Sequence, residues 1–207
     1  MGIDLTGFTE YKNRMDKIGE SIRGKTKVKV GVFAKEGSAL SKYAGLHEEG
    51  GTITPKTARW LTIPLNKQAK GKSPRQFPNL KFIPSKKGSP FLAMVSNKKV
   101  TPYYVLKKKI VIPKRAFIGD TVNNPAKVAK VFDVNKSIFE RVLRGESNIN
   151  QYLNGIGESF AAEFKNTIND GMSPPNSPLT IALKGHSATL KGKSPFKLMQ
   201  SITFKLE

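Results

Sequence analysis

Apolar and polar residues alternate along the middle of the chain, most regularly between residues 100 and 113. A strand places successive side chains on opposite faces of a sheet. One predicted face holds Tyr104, Leu106, Ile110 and Ile112, and the other holds Tyr103, Val105 and Val111. Lys107, Lys108 and Lys109 interrupt both faces, so we expect a strand that is covered at its ends and exposed to water in its middle. Pro113 has no N–H for a strand ladder and should end this ribbon.

Shorter stretches of the same kind predict further strands. They span residues 27–33, 59–65, 80–84, 90–96 and 201–206. Loops rich in Lys, Gly and Pro separate the three middle strands from one another and from the ribbon. We therefore expect a basic antiparallel β insertion at residues 57–112. The final strand is expected to pair with either 27–33 or 110–113.

Apolar residues at three- and four-residue steps predict helices in the first fifty residues. The stripe on the first helix consists of Leu5, Phe8, Met15, Ile18 and Ile22, and Gly24 should end this helix. Ser38 is expected to cap a short second helix over residues 39–48. Gly50 and Gly51 should end that helix, because glycine tolerates the backbone turn that other residues resist.

The second half of the chain is predicted to be mostly helical. Residues 128–143 indicate one broken helix or two short ones, with Asp133 or Asn135 at the break. Ser147 should cap a long helix over residues 149–168, which we expect to cover the sheet together with the first helix. The resulting fold class is α+β: an antiparallel sheet with helices packed on one face, plus a basic β-hairpin elaboration.

Length and composition narrow the classes of protein. The 207 residues fit a single domain, 1–207, with 57–112 as an insertion within it. The absence of cysteine fits a protein made in a reducing cytoplasm, and it excludes thiol catalysis and cysteine-based metal sites. No stretch approaches the roughly 20 apolar residues that a membrane span needs, and the first residues lack a signal-peptide pattern. We expect no membrane partner.

Charge is distributed unevenly along the sequence. The chain has 36 Lys and Arg against 15 Asp and Glu, a formal charge of +21, and sixteen of the cations lie between Gly50 and Gly119 with no acid. Such a field predicts an anionic partner, either DNA phosphate or an acidic protein face, with strong salt dependence. The alternative is a solvated face that keeps the protein in solution. The expected contact residues are Arg59, Lys86, Lys87, Lys98, Lys99, Lys107, Lys108 and Lys109.

Aromatic residues are interleaved with these cations. They are Trp60, Phe77, Phe82, Phe91, Tyr103 and Tyr104. This composition is also typical of surfaces that stack single-stranded nucleic acid. The interpretation that we favour is that the aromatic side chains form the core of a small sheet and that the lysines lie at loop tips. Lys114 and Arg115 are expected at the rim of the fold, beyond the end of the ribbon.

His47, Glu48 and Glu49 form the one cluster with the composition of a catalytic or metal site. Ligands must converge on a metal, whereas these three side chains point in different directions on a helix, and His186 lies in a distant loop. We expect a structural role instead: Glu48 satisfies backbone donors or pairs with a basic residue, and Gly50 supplies a turn. No nucleophile, base and orienting group can be assembled, so we expect no enzymatic activity, no cofactor and no metal.

One run of residues at the end of the ribbon resembles a known signature. I-P-K-R-A-F-I at 112–118 is similar to the I-P-x-R-P-F signature of tailed-phage tail-completion and virion-morphogenesis proteins, with Ala116 in place of the usual second proline. Y-A-G-L-H-E-E-G at 43–50 resembles their Y-A-x-x-H-E-x-G motif. Further similar stretches follow the family's order at 60–65, 103–113, 178–184 and 195–202. The motif residues are Tyr43, His47, Glu48, Gly50, Ile112, Pro113, Arg115 and Phe117.

The resemblance implies a structural role without chemistry. A protein of this family forms a homo-oligomeric ring at the virion neck and joins the tail tube to the head connector. The implied partners are other copies of the chain, the head connector or head-completion proteins, the tail tube or tail terminator proteins, and virion DNA in the neck channel. A tail terminator is the sister role. A nucleic-acid-binding module that acts alone is the competing class, since the same basic and aromatic content would serve it.

Overall fold

The structure is a computed structural model that describes residues 6–23, 26–35, 38–86, 88–96, 99–192 and 197–207. The chain divides into two compact units. We call Met1–Ala44, Ala116–Met172 and Leu190–Glu207 the helical unit, and Gly45–Arg115 and Ser173–Thr189 the β unit. The insertion predicted at 57–112 lies inside the β unit, and its place within a single domain stays a prediction.

Helices and strands both contribute, as the α+β prediction requires. The helices are α1 (Thr6–Ile22), α2 (Ala39–Glu49), α3 (Phe117–Val122), α4 (Pro125–Arg144), α5 (Ile149–Asn169), α6 (Pro178–Lys184) and α7 (Lys197–Gln200). The strands are β1 (Val28–Val32), β2 (Gly51–Ile53), β3 (Leu61–Pro64), β4 (Leu80–Ile83), β5 (Phe91–Ser96), β6 (Lys99–Lys107), β7 (Ile110–Ile112) and β8 (Ile202–Leu206). A short 3₁₀ turn spans Pro74–Gln76. Every sheet pairing among the described residues is antiparallel.

The helical unit is built on a pair of strands from the two ends of the chain. β8 pairs with β1, from Val28 opposite Leu206 to Val32 opposite Ile202, so the final strand takes the first of its two predicted partners. α5 packs on this pair, and Gly157 permits the close approach because a Cβ there would lie 2.3 Å from the Phe204 ring. The buried core is completed by Phe117, Phe164, Ile168, Leu198 and Ile202.

The predicted break within residues 128–143 is wrong, because α4 is continuous. Asn135 is buried inside α4, where its side-chain amide donates to the Val131 carbonyl at 2.8 Å and to the Ser159 hydroxyl at 2.9 Å. The asparagine therefore joins α4 to α5 instead of capping a new helix.

The cap of α5 also differs from the prediction. Asn148, not Ser147, is the N-cap residue, and its side-chain oxygen accepts from the Gln151 amide at 2.9 Å. Both residue types cap helices well, so their order in the sequence did not distinguish them. Ser38 does cap α2, as predicted: its hydroxyl accepts from the Ser41 amide at 3.2 Å.

The first helix forms as predicted but does not cover the sheet. Phe8 on its predicted apolar stripe is 67% exposed, Tyr11 one turn further on is 52% exposed, and Arg14 donates to the Arg144 carbonyl at the end of α4 at 2.7 Å. Among the described residues, α5 is the helix that packs on both strands of the two-stranded β1–β8 sheet. Leu5, Gly24 and the side chain of Ile22 lie outside the described residues.

The β unit contains the three predicted middle strands and the first part of the ribbon in one sheet with the order β3-β6-β5-β4. The ribbon is not one strand, however. β6 ends at Lys107, and β7 leaves this sheet to pair with β2, which the sequence pattern did not predict. Lys108 and Lys109 form the bend between the two sheets, and water-exposed lysines suit such a position.

A bulge in β6 breaks the predicted alternation of its side chains. Leu92 pairs with Tyr104 while Ala93 pairs with Pro102, so Tyr103 is the extra residue. Both tyrosines consequently join one buried cluster with Phe77, although the sequence placed them on opposite faces. For these three rings, the interpretation as sheet core is confirmed.

Candidate functional site

Two of the family-like motifs meet in the β unit. Gly51 pairs with Ile112, and the Arg115 amide donates to the His47 carbonyl at 2.7 Å. Gly50 adopts φ +74°, and a Cβ at this position would lie 2.9 Å from the Lys114 nitrogen. We call residues 47–51 and 112–115 the motif junction, because the fold brings them side by side across about sixty intervening residues.

Arg115 fixes the motif junction to a third part of the chain. Its side chain is only 6% exposed, which corrects the expectation that it lies at the rim. Nε donates to the Pro174 carbonyl at 2.8 Å and Nη2 to the Pro175 carbonyl at 3.0 Å. The two prolines had indicated only a loop, so sequence reasoning missed them as partners of the motif.

His47 is electrostatically disfavoured as a cation at this position. Burial lowers its pKa below the usual 6.5, and the positive charges of Arg115 and Lys184 lower it further. Burial, together with the charges of Arg115 and Lys70, also lowers the pKa of Lys184, whose ammonium donates to the Ala188 carbonyl at 2.7 Å. Burial and the neighbouring cations therefore favour the neutral form of the His47 imidazole.

The remaining motif residues occupy different environments. Glu48 is half-buried on α2 and Pro113 is half-buried after β7, and the predicted partner of Glu48 stays a prediction. Tyr43 and Phe117 belong to the helical unit: Tyr43 is 40% exposed, whereas Phe117 starts α3 and is fully buried in the core. Phe117 is therefore a packing residue.

Several of the residues predicted to contact an anionic partner lie close together at the bend between β6 and β7. Lys107, Lys108 and Lys109 are all exposed there. The Arg59 guanidinium and the Lys108 ammonium lie 5.6 and 5.8 Å from the centre of the Trp60 ring, within the range of cation–π attraction. We call Arg59, Lys107, Lys108 and Lys109 the bend cations.

The other candidates are more scattered. Lys86 lies in the loop after β4 and Lys99 at the start of β6, both exposed, while Lys87 and Lys98 lie outside the described residues. Phe82 on the edge strand β4 is 54% exposed, so the core interpretation does not hold for every aromatic residue of the sheet.

The two units differ in how their charges are balanced. The β unit has seventeen Lys and Arg against two Glu, which gives it a formal +15 of the total +21. The helical unit contains ion pairs between Lys29 and Glu207, Lys127 and Asp170, Lys130 and Glu163, and Arg144 and Glu146. Within the parts of the chain that the structure describes, none of the candidate contact residues forms an ion pair.

The described residues also bear on metal and membrane binding. They contain no group of three His, Cys, Asp or Glu side chains that could hold a metal ion. None of the helices described has both the length and the apolar character needed to cross a bilayer. Comparison of the chain with protein-family models, with curated proteins and with solved structures finds no match.

Proposed function

We propose that this protein is a structural component of a tailed-phage virion, a tail-completion or neck protein that forms a homo-oligomeric ring and joins the tail tube to the head connector. The observation that carries the proposal is the motif junction. Residues 43–50 and 112–118 were singled out for separate resemblances, and His47, Gly50, Ile112 and Arg115 of those two motifs lie together. Two chance matches far apart in the sequence would have no reason to meet.

The proposed mechanism is geometric. A ring protomer needs a rigid body and surfaces that neighbouring assemblies recognise, and it performs no reaction on its partners. The helical unit has a continuous apolar core, and the β unit holds most of the positive charge. The proposed partners are the head connector or head-completion proteins on one side and the tail tube or tail terminator proteins on the other. A tail terminator role uses the same features.

The direct test is to remove the protein from a phage that encodes it. We expect separate DNA-filled heads and finished tails to accumulate, because the step that joins them is missing. Purified protein added to the extract should restore joined particles, counted by electron microscopy. Normal numbers of joined particles in its absence would rule out the neck role.

A charge-reversal variant tests whether the bend takes part in joining. Replacing Lys107, Lys108 and Lys109 with Glu should leave the fold intact, because all three side chains are exposed, and should reduce joined particles. A matched control replaces Lys12, Lys42 and Lys136, exposed lysines of the helical unit, with Glu. Equal joining by both variants would contradict a role for the bend.

A nucleic-acid-binding module that acts alone is the second candidate, and the charge of the β unit favours it. Sequence-independent DNA binding has a Kd of roughly 10⁻⁴ to 10⁻⁶ M at physiological salt. Submicromolar binding by the free monomer, lost steeply as salt rises, would favour the module over the neck component. A gel retardation series across salt concentrations separates the two.

A further inference from the structure

We infer that the bend cations bind the phosphate backbone of double-stranded DNA and do not read its base sequence. This inference deepens the proposed function, on which it rests for the source of the DNA, since a neck channel passes the genome. It selects DNA over an acidic protein as the partner of the basic surface.

The fold holds the bend at both ends. Lys107 closes the β3–β6 pairing opposite Leu61, and Ile110 opens the β2–β7 pairing opposite Ile53. Only Lys108 and Lys109 lie between the two ladders, so little backbone entropy remains to be lost when these side chains engage a ligand. The exposed ammonium groups are thus presented from a fixed turn.

Trp60 orients two of the cations. Arg59 and Lys108 lie over its ring at 5.6 and 5.8 Å, and the ring itself is half-buried before β3. A tryptophan whose π-surface already attracts two cations is poorly placed to stack on a splayed nucleobase. Of the other aromatic rings interleaved with the cations, Phe77, Tyr103 and Tyr104 pack in the cluster of the β unit, and the exposed Phe82 lies on β4, at the opposite edge of the sheet from β3 and away from the bend. Both points favour phosphate contact over base stacking.

The kind of cation argues against a protein partner. Protein interfaces are depleted in Lys and enriched in Arg and aromatic residues. The β unit has fourteen Lys but three Arg, and Arg115 is buried. Lysine acts as a point charge, whereas bidentate recognition of a carboxylate or of guanine uses arginine. The sequence from residue 51 to 118 contains no Asp or Glu that could repel a phosphate group. This suits contact with the DNA backbone that does not depend on the base sequence.

The test measures binding of the full chain to two duplexes of unrelated sequence by fluorescence anisotropy, across a salt series of about 50 to 200 mM. We expect the two duplexes to bind equally, with a Kd of roughly 10⁻⁴ to 10⁻⁶ M at the upper end of the series. Replacing Lys107, Lys108 and Lys109 with Gln should reduce the slope of log K against log salt by about two to three, near one per phosphate contact.

The matched control replaces Lys12, Lys42 and Lys136 with Gln, which changes the net charge by the same amount. This control should change the slope of log K against log salt by less than about one, because salt screens charges that lie far from the bound DNA. Unchanged melting temperatures will show that both variants fold. Polyglutamate of equal charge serves as the mimic of an acidic protein face.

Any of four results would overturn the inference: no binding at the lowest salt, equal losses in the two variants, tighter binding of polyglutamate than of DNA, or binding that depends on the DNA sequence. These failures are distinguishable from failure of the neck proposal. A phage that needs the protein for joining, although the protein binds no DNA, keeps the neck role and loses this inference. If the protein binds DNA but heads and tails join normally in its absence, the inference is kept and the neck role is lost.

Discussion

At Gly50 the motif junction leaves no room for a side chain, because backbone atoms fill the space. Its φ of +74° lies in the region that favours glycine, and the space for a Cβ is filled by the backbone of Lys114 and the carbonyl of Ile112. Gly71 in the same unit has a φ of +75°, but a Cβ there would meet nothing within 4 Å. The pair separates the cost of backbone conformation from the cost of close approach.

We predict that Gly50→Ala destabilises the protein more than Gly71→Ala does. Gly71→Ala should lose about 1–2 kcal/mol, the cost of a left-handed conformation for a residue with a Cβ. Gly50→Ala should lose about 1–3 kcal/mol more, because rigid backbone atoms have to move. Urea unfolding of both variants measures the difference. Equal losses would show that the motif junction is looser than described.

His47 should make stability depend on pH. The unfolded histidine takes up a proton near its usual pKa of 6.5, whereas the folded one, with a lowered pKa, does so only at lower pH. Below pH 6.5 the unfolded state therefore binds more protons than the folded state. The free energy of unfolding should decrease as the pH falls from 6.5 towards the lowered pKa of folded His47. Above 6.5 both states are neutral and this contribution is constant.

The measurement is the free energy of unfolding between about pH 5 and 8, where an unperturbed histidine changes its charge. His47→Gln should flatten the decrease, and His186→Gln, which changes the other histidine, should preserve it. A steep decrease that survives in His47→Gln would assign the pH dependence to a different group.

At the scale of elements, close approach explains how α5 is held between α4 and β8. The side-chain amide of Asn135 on α4 donates a hydrogen bond to Ser159 on α5. A Cβ at Gly155 of α5 would lie 2.2 Å from the side-chain oxygen of Asn135. Gly157 admits the Phe204 ring of β8 in the same way. Small residues on α5 therefore set the distance to both neighbours.

We predict that Gly157→Ala destabilises the helical unit by about 1–3 kcal/mol, the usual cost of overpacking, because the Phe204 ring has to shift. Gly19→Ala on α1 is the control: it has open space around it and should stabilise the helix by up to about 1 kcal/mol. Thermal unfolding reports both signs. A neutral Gly157→Ala would mean that α5 and β8 can separate without cost.

The sequence pattern predicted correctly those helices and strands whose periodicity lies within the element itself. Period-two alternation identified the four strands of the β3-β6-β5-β4 sheet, and helical periodicity identified α4 and α5. Two of the errors involve contacts that are distant in sequence. Asn135, predicted as a possible cap, lies inside α4 and donates to Ser159 on another helix, and the bulge at Tyr103 belongs to the pairing of β6 with β5. β2 has only three residues and forms by pairing with β7, so it leaves no pattern of its own.

The candidate site was predictable in part for the same reason. The bend cations were identified from charge alone, and Gly50 from its expected turn. The sequence could not predict that Arg115 would be buried. Its acceptors, the Pro174 and Pro175 carbonyls, are about sixty residues away, and every residue has a backbone carbonyl, so nothing in the sequence marks these two. The ion pairs of the helical unit likewise join residues that are mostly distant in sequence.

At the scale of the whole molecule, the charges are segregated between units. The helical unit has a formal charge of +6, against +15 for the β unit, which has two acids in all. A surface of this kind stays hydrated in the free protein, and its binding to DNA is favoured because the counterions condensed on the phosphates are released into solution. We propose that this partner is met at the neck of a virion, where copies of the chain would assemble.

Localisation of the protein in purified virions tests that claim most directly. An affinity label on the chain, imaged by electron microscopy, should mark the junction between head and tail in every particle, in several copies per virion. Mass spectrometry of the same particles should give one copy number throughout. Absence of the chain from purified virions, or label along the tail or over the head, would contradict the account.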